Sequence, residues 1–359
     1  MKQDTMSPCH VSIIIKALNE EKGITATLES ALLAIAAVGG EVILADSYST
    51  DRTVDIARRY PVRIVQLMHP EERCCGVGPQ LGYQVARGEF IYLMDGDMQL
   101  IDGFLKEALS FLQQHPDIAG VGGRVMEMNL SSPEYQTRHA LWAALNSGPS
   151  SRLDGGGLYR RSAIEAVGYF SDRNLHSYEE FDLAARLRSL GWRFWRLPVA
   201  ATSHYGHEAQ PYRLLWRRWR NGYLWGLGEL LRVSAREPRQ RLLLALQEVR
   251  EVRLYAAILI WWAGLLALML LPTSGMFKAS AAAIMLLTPL ALMTWRKRST
   301  TRGLYAMVSS CFNAAGMLRG LLQKPRFSHP IVEYRVLQEA NPIIAAHRTH
   351  ARVESVYAQ

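Results

Sequence analysis

The stretch EFIYLMDGDMQLIDGFL (residues 89–105) runs a mostly apolar segment, 90–94, into two aspartates separated by one glycine, Asp95-Gly96-Asp97. A short apolar run that ends in a turn predicts a buried strand. Two carboxylates at its tip repel, since like charges a few Å apart push one pKa up. A divalent cation relieves that repulsion, and oxygen ligands suit Mg2+ or Mn2+. Two carboxylates make too few ligands for a closed cage, so water and ligand phosphates would complete the shell. An Asp-x-Asp turn is weak evidence alone, because acidic turns are common; its neighbours decide its weight.

Upstream of this stretch the same pattern recurs. Residues 11–16 form a β-branched run, 21–38 a helical pattern, 41–45 a strand, 53–59 a helix capped by Ser49 or Asp51, 63–67 a strand and 82–87 a helix. This β-α-β-α-β-α-β order predicts an α/β fold with a mainly parallel sheet flanked by helices. Ligands of such sheets bind beyond the carboxyl ends of the strands. The first strand ends in Asn19-Glu20, the second in Asp46-Ser47, and the fourth in Asp95-Gly96-Asp97, so these side chains are expected at one crevice.

Charge and hydropathy bound the rest. The 359-residue chain carries a formal charge of +9 and a pI near 9.5, which calls for an anionic partner. Nine arginines lie between Trp216 and Arg253, and Arg296-Lys297-Arg298 follow the last strongly apolar run. Basic residues thus flank apolar segments, which points to membrane lipids and away from nucleic acid. Residues 254–271 are uncharged and, at about 1.5 Å per residue, span roughly 27 Å, close to a bilayer core. Residues 279–295 are uncharged too and contain Pro289, with a turn at 272–275 between the two runs. A transmembrane hairpin is expected. The arginine-rich outer flanks place both termini and the N-terminal domain in the cytoplasm of an inner or plasma membrane, as a multi-pass protein. Residues 303–322 read as an amphipathic helix lying on the membrane, followed by a cytoplasmic tail. The N-terminus shows no long apolar region or cleavage site, so export of that end is not expected. Cys74 and Cys75 are neighbours, while Cys9 and Cys311 are isolated, which offers neither a disulfide framework nor a zinc motif.

Five ordered segments resemble glycosyltransferase family 2, nucleotide-sugar-dependent enzymes with a GT-A fold. SIIIKALNEE (12–21) is similar to the family's opening strand, and LADSYSTDRT (44–53) to its base-reading Asp turn. GPQLGYQVARGEFIYLMDGD (78–97) is similar to the helix and strand leading into its metal-binding Asp-x-Asp. GGGLYRRSAIEAVGYF (155–170) resembles the acceptor-side glycine loop, and YEEFDLAARLRSLGW (178–192) the motif that carries the catalytic base.

The resemblance covers about residues 11–225. It implies that Asp46 contacts the base, that Ala17, Asn19, Glu20, Ser47 and Gly96 border the nucleotide sugar, and that Asp95 lies near ribose and metal. Asp97 is implied as the principal ligand of Mn2+ or Mg2+, with His204 or His207 joining the shell. Glu180 stands where the family usually has its basic Asp, with Glu179 as the rival. Gly156, Gly157, Asp182, Arg217 and Arg220 fall on the acceptor side. Gln80 stands where many members have Asn, Ser47 where many have a second Asp, and the Gln-x-x-Arg-Trp pattern of processive members is absent.

The chemistry is coherent without the family name. A sugar nucleotide must lose a diphosphate, and a cation bridging its phosphates stabilises that charge. An acceptor hydroxyl needs a carboxylate within hydrogen-bond reach. One carboxylate cluster sits at a strand end and another some eighty residues later. The expected domains are 1–225 for catalysis, 226–253 as a basic juxtamembrane segment, 254–298 as the hairpin and 299–359 as interfacial helix and tail. The expected partners are a nucleotide-sugar donor, a lipid-linked or polysaccharide acceptor, and membrane lipids. The rival classes are a nucleotidyltransferase, whose Gly-rich loop KALNEEKG does not supply, and a non-catalytic membrane scaffold. Arg217, Arg218 and Arg220 fit diphosphate binding or a basic aromatic belt at lipid headgroups.

Overall fold

A computed structural model describes residues 10–130, 133–143, 146–206, 210–236, 239–327 and 329–340. His207 and the tail beyond residue 340 lie outside the described residues. The chain divides into a sheet unit (1–174, 179–208 and 326–359) and a helical unit (175–178 and 209–325).

Among the described residues the sheet unit holds ten strands: β1 Val11–Ala17, β2 Gly40–Asp46, β3 Arg63–Leu67, β4 Phe90–Asp95, β5 Met98–Leu100, β6 Ile118–Glu127, β7 Gly148–Ser150, β8 Gly157–Arg160, β9 Arg193–His204 and β10 Tyr334–Gln338. Their order is β10-β3-β2-β1-β4-β8-β6-β9-β5, with β7 paired to β9. The β3-β2-β1-β4 half is parallel, as the alternation of strands and helices predicts. The other half is mixed, because β8 runs antiparallel to both β4 and β6. Alternate residues of β1 explain how one strand serves two cores. Ile13 and Ile15 join the apolar cluster of helix Ile24–Val38 and Phe104, while Ile14 joins that of Leu81 and Phe170. A strand buried on both faces reads as an unbroken apolar run, which is what 11–15 shows. Burying each such side chain stabilises the fold by about 1.5–3 kcal/mol.

Part of the segment 299–359, expected as an interfacial helix and tail, lies in the sheet. Residues 334–338 return to the sheet as β10, antiparallel to β3 on its outer edge. The return is held by side chains as well as by the ladder: Gln84 bonds both ways with Val332, at 2.9 and 2.7 Å. A five-residue strand with charged and apolar positions mixed gives little sequence signal, and its pairing partner lies some 270 positions away.

In the helical unit, Glu251–Leu270 and Gly275–Lys297 are the two described helices long and apolar enough to cross a membrane. Their apolar windows have mean hydropathy 1.8 and 1.7 and are 11% and 0% buried, so their apolar side chains face outward. Helix Thr300–Leu322 packs closely within this unit. A Cβ on Gly320 would stand 2.1 Å from the Trp225 carbonyl oxygen, and one on Gly316 2.4 Å from that of Leu224. Only glycine permits backbones to approach this closely. Arg232 donates to the Gly320 carbonyl at 2.6 Å, and Arg319 lies 4.1 Å from the Trp225 ring centre. The buried positions of this helix are Gly303, Ala314, Gly316, Met317 and Gly320, while Leu304, Leu318 and Leu322 of the apolar spacing stay exposed.

Candidate active site

Strand register brings the decisive groups of the sheet unit together. Met98, just after Asp97, pairs with His204 across β5 and β9, and Glu127 pairs with His204 across β6 and β9. The backbone N–H of Tyr205 donates to the Asp97 carbonyl at 3.1 Å, which locks the junction. His204 Nε2 then lies 3.4 Å from Asp97 Oδ2, and His204 Nδ1 lies 3.1 Å from both oxygens of Glu127. Arg138, on helix Pro133–Ala143, donates to Glu127 at 2.7 Å.

This donor set fits a cation. His204 thus stands between two carboxylates, with Arg138 Nη2 also 3.1 Å from Nδ1; a neutral ring protonated on Nδ1 would turn its Nε2 lone pair to Asp97, and a protonated ring donates to both carboxylates. Two acceptors turned on one another need a proton or a metal ion between them. Burial pulls the His204 pKa down, but Asp97 and Glu127 outweigh burial and Arg138, and the net direction is upward. Among the described residues no three His, Cys, Asp or Glu side chains converge as a metal-holding group.

Asp95 has a different partner. Lys16, the charged residue of β1, places Nζ 3.0 Å from Asp95 Oδ1 and 3.3 Å from Glu179 Oε1. Burial disfavours the Lys16 charge, but Asp95, Glu179 and Glu180 outweigh it and hold its pKa well above the ordinary value. Asp95 Oδ1 is therefore paired with an ammonium. Glu179 is likewise engaged, while among the described residues Glu180 makes no hydrogen bond or salt bridge. Burial pushes the Glu180 carboxyl up to about 8, with Lys16 opposing and Asp154, Glu179 and Asp95 adding to the rise. A free carboxyl poised near neutrality is suited to accept a proton.

The base-side residues gather at the ends of β1 and β2. Asp46 is fully buried; its Oδ2 accepts from Ser49 N–H at 3.0 Å and from Gln66 Nε2 at 2.6 Å. Its Oδ1 has no hydrogen-bond partner among the described residues. Asn19, at φ 60°, clamps the loop after β2, its Oδ1 accepting from Thr50 N–H at 2.8 Å. Glu20 N–H bonds Thr53 Oγ1 at 2.7 Å, and Ser47 N–H bonds the Ala17 carbonyl at 2.8 Å. A Cβ on Gly96 would meet Glu20 Cγ at 2.7 Å and Ala17 Cβ at 3.3 Å, so the turn admits only glycine there. Asn19, Tyr48 (φ 67°) and Tyr178 (φ 66°) are non-glycine residues in the left-handed region, each inside a motif singled out in the sequence.

Several acceptor-side expectations find structural uses. Asp182 is buried and bonded to Arg186 Nε at 2.8 Å, while Arg186 also holds the carbonyls of Tyr169 and Phe170. That carboxylate is thereby turned into the core. A Cβ on Gly156 would stand 2.5 Å from the Leu93 carbonyl oxygen, and one on Gly157 2.5 Å from Leu153. These glycines let their loop close on β4. Gln80 accepts from the N–H groups of Phe170 and Ser171, at 3.0 and 3.2 Å. Arg217 and Arg220 lie on helix Pro211–Arg220 in the helical unit, lining a groove with Arg213, Trp216 and Asn221. Lys16, Glu127 and Arg138 were absent from the sequence reading. Lys16 had a signal, a lone charge in a buried strand, and Glu127 ends an apolar-rich strand as Asp46 does. Arg138 had none.

A parallel β3-β2-β1-β4 half, continued by a mixed half whose strands meet an Asp-x-Asp turn, is the GT-A fold. The mannosyltransferase PcManGT from Pyrobaculum calidifontis, solved with GDP-Man and Mn2+, superposes at a TM-score of 0.58 over 89% of this chain and 90% of its own, at 17% identity. Residues 12–168, somewhat under half of the chain, match Glycosyl transferase family 2. The succinoglycan biosynthesis protein ExoA of Rhizobium meliloti is 24% identical over 234 residues, covering 60% of this chain and 69% of that protein. An uncharacterized Mycobacterium bovis protein is 31% identical over 112 residues, 30% of this chain. The chain spans about a third of that relative's length, 32%.

Proposed function

We propose that this protein is a membrane-anchored glycosyltransferase that moves one sugar from a nucleotide-sugar donor to a hydroxyl of a membrane-associated acceptor. The acceptor class is a glycolipid or a polyprenyl-linked oligosaccharide of surface polysaccharide assembly. One observation carries the reading: Asp97 Oδ2 and His204 Nε2 face each other at 3.4 Å at the end of a buried strand, with the Glu180 carboxyl in the same unit pushed up to about 8.

Asp97 and His204 would hold Mn2+ or Mg2+, which supplies positive charge to the departing diphosphate when bound. Glu127 orients His204 through Nδ1 and raises its basicity as a ligand. Asp46 reads the base through its unpartnered Oδ1. Glu180 takes the proton of the acceptor hydroxyl, and Lys16 holds Glu179 and Asp95 beside it. The family's usual outcome is inversion by a single displacement. The two outward-facing apolar helices anchor the protein, and the arginine-rich flanks keep the sheet unit and both termini on the cytoplasmic side. In domain terms, 1–225 with the returning β10 forms the catalytic part, 226–253 a basic juxtamembrane segment, and 254–298 a hairpin.

The purified protein is assayed with UDP-, GDP- and dTDP-sugars, with and without Mn2+ or Mg2+, for transfer or hydrolysis. Turnover that requires the cation and disappears in Asp97→Ala supports the reading. Full turnover in Asp97→Ala sinks it. Sugar 1-phosphate plus nucleoside triphosphate as the true substrates would favour the nucleotidyltransferase alternative. Release of the protein from membranes by alkaline carbonate would remove the anchor.

A further inference from the structure

The returning strand carries a side chain that reaches the base-reading end of β2. Arg335 stands opposite Gln66 in the β10–β3 register. Its Nε donates to Gln66 Oε1 at 2.9 Å, and its Nη2 donates to the same oxygen. Gln66 in turn donates from Nε2 to Asp46 Oδ2 at 2.6 Å. A glutamine amide can turn over by 180°, but a guanidinium on its oxygen leaves only the NH2 to face Asp46. Ser49 N–H fills the rest of Oδ2, so Oδ1 is the oxygen left without a partner, and it is buried. Buried acceptors are rarely left bare, which points to a ligand at Oδ1.

The surroundings strengthen the link. The Arg335 guanidinium lies 5.5 Å from the Tyr48 ring centre, and that of Arg73 lies 5.6 Å from the same ring. Arg73 also donates to the Tyr48 carbonyl at 2.9 Å. Tyr48 is the left-handed residue two positions after Asp46, so both cations brace the turn that carries the base-reading carboxylate. The strand has other holds besides Arg335. Met68 N–H bonds the Glu333 carbonyl at 3.0 Å, and Gln338 Nε2 bonds the carbonyls of Tyr60 and Val62 at 2.8 and 2.9 Å.

We propose that Arg335 is a positioning residue for donor recognition: through Gln66 it sets Asp46 with Oδ1 bare, ready to accept an N–H from the nucleotide base. The segment after the apolar helices thereby completes the donor site. This rests on the donor-site reading above, so the test separates the two.

Binding of UDP, GDP and dTDP to the full-length protein in detergent is measured by calorimetry, alongside KM and kcat for the matching sugar donor. The variants are Arg335→Met, Arg335→Lys, Gln66→Met, the Arg335→Met/Gln66→Met double variant and Asp46→Asn. Loss of one charge-assisted link predicts about tenfold weaker binding in Arg335→Met. The loss falls on KM with kcat at saturating donor kept, the same loss appears in Gln66→Met, and the double variant adds nothing. Arg335→Lys, which keeps one donor, recovers part of it. Wild-type affinity in a folded Arg335→Met overturns the proposal, as does a parallel fall in kcat and melting temperature that lysine does not rescue. If Arg335→Met does not fold, Gln66→Met decides alone. Weak binding by Asp46→Asn beside normal binding by Arg335→Met rejects only the relay. Normal binding by Asp46→Asn, or no binding of any of the three nucleotides by the wild type, rejects the donor-site reading itself.

Discussion

The sheet unit and the helical unit are both rich in apolar residues, yet they spend them in opposite ways. In the sheet unit Ile13, Ile14 and Ile15 are wholly buried, and charged groups sit at strand ends with named partners. In the helical unit the two longest apolar helices leave their side chains exposed, and close contact comes from glycines such as Gly316 and Gly320. The difference fits the membrane placement proposed above. Water drives the first to bury its apolar surface and to satisfy most of its polar groups. In lipid no such drive exists, and helices there would associate by backbone approach at small residues.

The largest test of this contrast removes a charge from the sheet unit. Asp97→Ala is expected to lower transfer by on the order of 10^3-fold, as loss of a preorganised charge does, in the nucleotide-sugar assay with Mn2+. Next comes Glu180→Gln, expected to cost about 10^2-fold or more. The same residue gives a pH signature. Its pKa near 8 means that the carboxylate form is lost as pH falls through 8. The kcat/KM of the wild type should therefore rise with pH up to about 8 and level off, and Glu180→Gln should flatten that limb. A limb centred near 4.5 would show that Glu180 is not the base.

The matching test in the helical unit adds bulk where none fits. Gly320→Leu is expected to destabilise by about 1–3 kcal/mol, read as a lower melting temperature in detergent. An unchanged melting temperature would mean that glycine contacts do not hold these helices. The smallest effect belongs to helix starts. Ser299 Oγ accepts from Arg302 N–H at 3.4 Å, and Ser299→Ala should cost about 0.5–1 kcal/mol by the same measurement.

Much of this was legible before any coordinates. Residues 11–16, 41–45, 63–67 and 90–94 are strands because β-branched and apolar runs of that length bury on both faces, and that alternation with helices dictates parallel pairing. Strand-end chemistry was legible for the same reason, since a carboxylate after an apolar run has only the sheet's end to occupy. Asp46 and Asp97 stand at strand ends in this way. Asp182 forms a core ion pair to Arg186, four residues on, which its spacing within 178–192 equally allows. At Gly156 a Cβ would meet the Leu93 carbonyl oxygen at 2.5 Å, and sequence alone does not distinguish a loop that opens to a ligand from one that closes on a strand.

What the sequence determined by itself is local: which segments extend or coil, which runs are too apolar for water, and which side chains end a strand. Each depends on neighbours a few residues away. What only the tertiary structure decided is who stands opposite whom. Lys16 between Asp95 and Glu179, Glu127 behind His204, and Arg335 behind Gln66 all join positions far apart in the chain. Such pairs are fixed by register across strands, and no periodicity within a single segment encodes them.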